Sequence, residues 1–448
     1  MNSIFPWLGI AVLILCGWAI VKKYQVNMVL LLGGLILNLL AFWGGAEIFP
    51  KKFSATGIVG FDLIELLRTI SVSQVSGVGF LILISGGFAA YMQAIGASDR
   101  FVTVCAKPLS LIKNPYLILA AVFIVGHCLG LVITSAAGLA MLMVVTVYPL
   151  IIRVGCSPLA AAAVVASVLA IGYAPASGTA NFASELVHLD PIEYLVRYQL
   201  PMAAAHVVTQ YWFDKREGRG IVADLSELEQ KREKLEQTPA FYACLPLLPI
   251  ALLLVFNKFV WGVSMNVATA MFIAWIASFF IDLITRRNIK ESFDLSFAMF
   301  KGMGSILTST VGLIFVAAFF AKGLQNIGIV ALLMHGADSI GLGYTGSSVV
   351  LSAIVGVVTV LTGSGVAAFT SLGQLVPAAA QSFGENGISM MLMMHTASEM
   401  LRAMSPVAGV IIIVAGFAKV NPLTMVKRTI VPCLTGYVVM LITVSVLF

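Results

Sequence analysis

Charge is what this chain has least of. Only 10% of its 448 residues are Asp, Glu, Lys or Arg, against about 25% in a typical soluble domain, and 60% are hydrophobic. That balance excludes an ordinary soluble globule. The short alternating apolar and polar segments of an outer-membrane barrel are also missing. Six cysteines (Cys16, Cys105, Cys128, Cys156, Cys244 and Cys433) are scattered without a close pair, so they read as core or lipid-facing side chains, not as a disulfide or zinc framework. The five histidines show no metal-ligand spacing. Neither a Ser–His–Asp set nor a phosphate loop is present, so the residues call for no metal and no cofactor. "GLGYTG" (341–346) has the glycines of a dinucleotide motif without the strand and helix that motif needs, and it reads as a loop. "SMMLMMH" (389–395) reads as adaptable core packing.

Long apolar runs are what the chain does have. Stretches at 4–21, 26–46, 77–97, 261–284 and 429–448 approach or exceed the roughly 18 residues of a membrane-spanning helix. The fold class this implies is an all-α polytopic membrane protein. The first run has no preceding Lys or Arg and no small-residue cleavage site, so it is expected to be a retained helix, not a signal peptide. A net charge of +6 would suggest nucleic acid in a soluble protein. Here the basic residues collect in loops, as the positive-inside rule expects, and no nucleic-acid partner is implied.

One polar stretch interrupts the chain, "DKREGRGIVADLSELEQKREKLEQ" (214–237), and its mixed charge suits a solvated linker. The segments on either side resemble each other at a fixed offset. "GFDLIELL" (60–67) matches "SFDLSFAM" (292–299), and "FAAYMQAIG" (88–96) matches "FAKGLQNIG" (320–328), both at 232 residues. "ASVLAIGYAPASG" (166–178) matches "ASEMLRAMSPVAG" (397–409), and "DPIEYLVRYQLP" (190–201) matches "NPLTMVKRTIVP" (421–432), both at 231. Four segments in one register point to duplication. The expected division is a first membrane repeat over 1–213, a cytoplasmic linker over 214–238 and a second repeat over 239–448.

The repeats are expected to be inverted. In the first half, crossings are expected at about 4–21, 26–46, 76–97, 157–189 and 194–213, with interfacial segments near 60–71 and 101–113. A re-entrant hairpin is expected over 116–152, broken at "TSAAG". Five crossings and a hairpin are an odd number, so the second half, with its own hairpin at about 346–382, enters upside down, as in many secondary transporters. Lys and Arg set the orientation. With both termini periplasmic, Lys22, Lys23, Arg100, Lys107, Lys113, Arg153, the linker, Arg286, Arg287, Lys290, Lys301, Lys419, Lys427 and Arg428 fall inside, against few basic residues outside.

Each half carries two interruptions: "TSAAG" (134–138) and "APASG" (174–178), then "TGSG" (362–365) and "SPVAG" (405–409). Pro and Gly loosen helical hydrogen bonding, and backbone freed at membrane depth survives only where it is buried or lines a watery cavity. Four such breaks meeting near the midplane would present helix N-termini and hydroxyls to an anion. The bland alternative is close helix packing through small residues. The candidate substrate-binding set is Thr134, Ser135, Ser177, Gly178, Thr179, Asn181, Thr362, Gly363, Ser364, Gly365, Arg402, Ser405 and Pro406. Arg402 carries most of the argument. An Arg at the bilayer centre costs roughly 2.5–3.5 kcal/mol on insertion scales, and its repeat-mate is the apolar Ile171. Its planar fork suits a carboxylate. The alternative is a structural pair with Glu399, three residues earlier on the same face, and both can hold if Glu399 keeps Arg402 between transport steps. Glu399 and His395 are the candidates for ion or proton coupling.

The chain resembles the anaerobic C4-dicarboxylate carriers of the DcuC type, within the ion transporter superfamily. The resemblance runs over nearly the whole length and rests on "GGFAAYMQAIGASD" (86–99), "TSAAGLAMLM" (134–143), "APASG" (174–178), "GSGVAAF" (363–369), "ASEMLRAMSPVAGV" (397–410) and "VKRTIVP" (426–432). It implies uptake, exchange or efflux of succinate, fumarate or malate across a bacterial inner membrane, by a homodimer whose transport domain moves against a static scaffold. Two positions depart from the family pattern: Thr179 stands where it has Asp, and Glu399 where it has Asn. The superfamily's Ser-Asn-Thr sodium pattern is intact at neither hairpin tip, so a proton, a sodium ion or a counter-dicarboxylate could drive transport. The expected scaffold is 4–46 with 241–285, an elevator arrangement. A carrier of another small organic anion and an anion channel are the alternatives, and an intramembrane enzyme lacks a reactive set.

Overall fold

The structure is a computed structural model. It describes residues 4–22, 24–46, 48–49, 56–133, 136–168, 172–205, 238–256, 265–329, 332 and 341–448. Among them there are helices and turns and no strand. The expected linker falls almost wholly outside the described residues.

The first half builds α1 (Ile4–Val21), α2 (Val26–Trp43), α3 (Val59–Gln74), a π-helical segment (Val75–Gly79) and α4 (Phe80–Ala94). It continues with α5 (Ala97–Ala106), α6 (Pro115–Gly130), α7 (Ala136–Thr146), α8 (Tyr148–Arg153), α9 (Pro158–Ser167), α10 (Gly178–Leu186) and α11 (Pro191–Glu193). After a π-helical segment at Tyr194–Gln199, the second half has α12 (Leu248–Val255), α13 (Val267–Arg286), α14 (Ile289–Ser296), α15 (Ala298–Ile306), its own π-helical segment (Leu307–Val311) and α16 (Gly312–Asn326). Then come α17 (Gly343–Thr362), α18 (Gly365–Gly373), α19 (Val376–Ser382), α20 (Ile388–Met400), α21 (Gly409–Phe417) and α22 (Pro422–Leu447).

Helix starts follow local chemistry. Ser157, Ser177, Asp190, Asn266, Ser364 and Asn421 each accept a backbone N–H from the first turn of the helix they precede, which satisfies donors that otherwise go unpaired. Pro follows the cap at 158, 191 and 422, where its missing N–H costs nothing.

The boundaries recur between halves. Of the three π segments among the described residues (a third spans Tyr194–Gln199), two begin at 75 and 307, and α4 and α16 follow at 80–94 and 312–326, a shift of 232 at each point. The helices α10 and α21, at 178–186 and 409–417, are both nine residues long and shifted by 231. One residue past their C-caps, His188 and Lys419 take positive φ, 55° and 52°. Such values are uncommon outside glycine, so a matched pair at the repeat offset is informative.

Five stretches are long and apolar enough to cross a membrane: Val26–Trp43, Val267–Arg286, Gly343–Thr362, Ile388–Phe417 taken across its break, and Pro422–Leu447. The pair Val59–Gly77 and Phe80–Ala94, bent by 49°, is long and apolar enough for a sixth if counted as one broken span. The 60–71 stretch lies within α3, which meets α4 at that bend, with non-helical φ/ψ at Gly77. One detail differs from the sequence reading. The first arm of the expected second hairpin, α17, is a twenty-residue helix long enough to cross; its small and hydroxyl residues disguise its length.

Packing puts small residues where helices touch. A buried stripe on α2 (Leu30, Gly33, Gly34, Leu37, Asn38, Ala41) lies on α16. A Cβ on Gly34 would meet Phe319 at 2.8 Å. Asn38 Nδ2 donates to the Phe319 carbonyl and Asn326 Nδ2 to Asn38 Oδ1. On the other side α4 lies on α15 through Gly87 and Gly302. Outward faces carry exposed Trp18, Trp43, Ile64, Phe280, Ile284 and Val446, as lipid contact requires, and α20 is buried from Ser389 to Met400.

Candidate functional site

The two helical breaks in mid-chain converge. The helix α20 tightens into a 3-10 turn (Leu401–Met404) before the break that precedes α21, and Arg402 sits in that turn. The tight turn ends the ladder without Pro and aims a long side chain across the break. The segment 172–177 precedes α10, and its hydroxyls gather at the α10 N-terminus, where Ser177 Oγ accepts from Ala180 N–H.

A cavity of about 120 Å³ lies between them, lined by Ser177, Gly178, Thr179, Glu399 and Arg402. Gly130 at the end of α6 and Val366 in the first turn of α18 line it as well. The ends of both expected hairpins therefore reach one cavity with both breaks. Gly172 lies against the hydroxyls of Ser177 and Thr179, where a Cβ would meet Ser177 Oγ at 2.6 Å.

Arg402 Nη2 lies 3.1 Å from Glu399 Oε2, with the side chains 16% and 7% exposed, so the pair expected from spacing forms inside the cavity wall. The other oxygen of Glu399 accepts from Thr179 Oγ1 at 2.9 Å. Thr179 also lies 2.8 Å from Ser177 Oγ and 3.2 Å from His395 Nε2. His395 Nδ1 is 3.4 Å from Tyr194 OH, and its ring stacks on Phe369 at 5.1 Å. A continuous polar chain thus runs Tyr194–His395–Thr179–Glu399–Arg402. Charge-assisted hydrogen bonds in a low-dielectric setting are stronger than neutral ones, which explains how an ion pair survives here. The two departures from the family pattern, Thr179 and Glu399, touch each other.

Other expected site residues fall differently. Thr134 and Ser135 lie outside the described residues. Asn181 is fully buried and donates to the Pro175 carbonyl, so it braces the break and does not line the cavity. Thr362, Gly363, Ser364 and Gly365 form the turn between α17 and α18. Gly363 takes φ +74°, and a Cβ on Gly365 would run into the Ser398 carbonyl. These residues dock the turn onto α20 and α21. Ser405 is buried and Pro406 is half-buried beside the break, and neither lines the cavity. Sequence reasoning missed Ile82, Gly86, Ile306 and Thr310, which close the cavity from α4, α15 and the π segment at Leu307–Val311. The "TST" at 308–310, polar within an apolar run, was the available signal. Among the described residues no group of three or more His, Cys, Asp or Glu could hold a metal.

The arrangement suits a membrane carrier: broken helices, a buried charge pair and a small polar cavity. The antimetabolite efflux pump MtrF of Neisseria gonorrhoeae has a similar fold, with a TM-score of 0.58 at 14% identity over 94% of this chain and 93% of that one. The family model described as the C4-dicarboxylate anaerobic carrier, DcuC, matches residues 5–448. The anaerobic C4-dicarboxylate transporter DcuC of Escherichia coli strain CFT073 is 34% identical over 97% of this chain and 95% of its own length. A probable DcuC transporter of Vibrio cholerae is 34% identical over 98% and 97%. The chain belongs to the C4-dicarboxylate anaerobic carrier family, whose members are transporters and not enzymes.

Proposed function

We propose that this chain is a secondary active carrier of C4-dicarboxylates such as succinate, fumarate and malate, multi-pass in the bacterial inner membrane. The observation that carries this reading is Arg402, a guanidinium in the wall of a small cavity formed where both breaks and both hairpin regions meet. One substrate carboxylate binds Arg402, displacing Glu399, and the hydroxyls of Ser177 and Thr179 with the N-terminus of α10 serve the remaining oxygens. Glu399 and His395 are the coupling candidates, whether a proton, a sodium ion or a second dicarboxylate balances the cycle. The proposed architecture is two inverted repeats (1–213 and 239–448) around a cytoplasmic linker (214–238), with hairpins at about 116–152 and 346–382. The shared offsets of the π segments at 75 and 307, of α10 and α21 and of the two positive-φ residues support it. An elevator motion against a scaffold near 4–46 and 241–285, a homodimer and periplasmic termini complete the proposal.

Counterflow in proteoliposomes tests it. Labelled succinate uptake should be trans-stimulated by unlabelled dicarboxylate and not by monocarboxylates; uptake without trans-stimulation would indicate a channel and overturn the carrier reading. The same assay over a panel of acids, with and without sodium, identifies substrate and coupling ion.

A further inference from the structure

Two cavities meet on α4. Ile82 and Gly86 line the site, and Gly86, Ala89, Ala90 and Gln93 line a second cavity of about 180 Å³. Steps of three and four residues keep these positions on one helix face, so a single face lines both cavities over about 16 Å at 1.5 Å per residue. Gly86 and Ile306 belong to both. A Cβ on Gly86 would run into the Ile306 side chain, so that pair is a neck. Past it, Gln93, Ser98 and Ser305 make the wall polar.

The other half holds the same positions shut. Gln93, on the wall of this cavity, corresponds at 232 residues to Gln325, and Ile306 corresponds to Gln74. Gln325 Nε2 lies 3.5 Å from the Gln374 carbonyl, and Gln374 Nε2 lies 3.5 Å from Gln74 Oε1. The facing residues of α16, among them Ile314, Ala318 and Ala321, are buried. Phe182, one turn beyond Thr179 on α10, meets Phe369 edge to face at 5.5 Å. Beyond that ring pair, Gln74 and Glu185 line a separate cavity of about 80 Å³.

We infer that the cavity along α4 is the substrate's access route in this conformation, and that the Gln74–Gln374–Gln325 chain is its closed counterpart, which parts when the site opens to the other side. Long amide hydrogen bonds suit the purpose, because glutamines exposed to water on opening lose little, whereas a buried ion pair would resist. Ile306, facing Gly86, is the inner neck that sets the width of what passes. The inference rests on the carrier and repeat readings above, and its test is separable from theirs.

The full chain carrying Gln74→Cys with Gln374→Cys is reconstituted and oxidised with copper phenanthroline, with each single variant as control. Cross-linked protein should lose about tenfold or more of succinate counterflow, as expected when a gating motion is blocked, and a reductant should restore it. Succinate binding to the cross-linked protein in detergent should stay unchanged, because the route along α4 is open. Undiminished counterflow in protein shown by mass spectrometry to be cross-linked overturns the inference, and so does failure of the pair to cross-link. If the cysteine pair transports poorly before oxidation, Ile306→Trp supplies the readout. It should slow succinate association severalfold without abolishing binding at equilibrium, and an unchanged association rate overturns the assigned route. Wild-type protein without counterflow would instead remove the carrier reading, leaving the cross-link result to be read on binding alone.

Discussion

The breaks before α10 and before α21 share a frame and differ in chemistry. Both helices are nine residues long, both exit through a residue of positive φ, and both are followed two residues after it by a capping Asp190 or Asn421 and then a Pro. Yet the first begins with Ser177 as its cap and Thr179 in its first turn, while the second begins with Ala408, which offers no side-chain cap. The second contributes its polar groups from upstream instead, as Glu399 and Arg402. The two breaks share backbone geometry and differ in what they bring to the cavity: hydroxyls and a helix N-terminus from one, a charge pair from the other.

The largest expected effect comes from the docking that holds the second half in place. Gly365→Ala puts a methyl into the Ser398 carbonyl, where backbone on both sides cannot yield. The cost should reach or exceed the roughly 1–3 kcal/mol typical of overpacking, read as a marked fall in melting temperature of the purified protein. Gly304→Ala, with nothing within 4 Å, is the control and should leave stability unchanged or slightly raised.

Next is Arg402. A charge-assisted hydrogen bond is worth roughly 1.5–3 kcal/mol, so Arg402→Ala should weaken succinate binding by about one to two orders of magnitude, with Arg402→Lys between Ala and wild type because a point charge remains. If the pair with Glu399 were only structural, Arg402→Ala would lower melting temperature and leave affinity nearly intact. Adding Glu399→Gln to Arg402→Ala should not reduce stability further, since it removes a stranded charge.

The contact between Thr179 and Glu399 permits a sharper test of which half must hold the carboxylate. Thr179→Asp alone sets two carboxylates against each other and should cut transport strongly, as like charges in contact disfavour one another. Glu399→Asn alone leaves Arg402 without this partner. The double variant moves the carboxylate across the contact and should recover transport to within about tenfold of wild type, the coupling expected of touching residues. A double variant as poor as the worse single one would show that the two sides are not interchangeable.

Much of this was readable beforehand. Apolar runs, the fixed offset and the Pro and Gly breaks are one-dimensional signals, and they point to the breaks before α10 and α21 and to Thr179, Glu399 and Arg402, which the structure brings to one cavity. What could not be read is what depends on neighbours in space. Gly86 and Ile306 are ordinary apolar residues until α4 and α15 are laid together, and Asn181 looked like a ligand because its partner, the Pro175 carbonyl, is a backbone atom. The length of α17 was hidden because Gly, Ser and Thr lower apparent hydrophobicity without shortening the helix.

The smallest effect separates the two helix starts themselves. Ser177 caps α10 and lines the cavity, whereas Ala408 precedes α21 and does not line it. Exchanging them should therefore act asymmetrically. Ser177→Ala removes a cap worth about 1 kcal/mol together with its contact to Thr179, so stability should fall slightly and succinate affinity severalfold. Ala408→Ser supplies a cap that α21 lacks and should raise stability by up to about 1 kcal/mol, with affinity unchanged. Isothermal titration and thermal melts on the two single variants read both quantities at once. Should Ala408→Ser instead weaken succinate binding as Ser177→Ala does, both helix starts would face the substrate and the division of labour between the halves would be wrong. If neither change moves affinity, the hydroxyls at the first break serve only the helix, and Arg402 must hold the substrate without them.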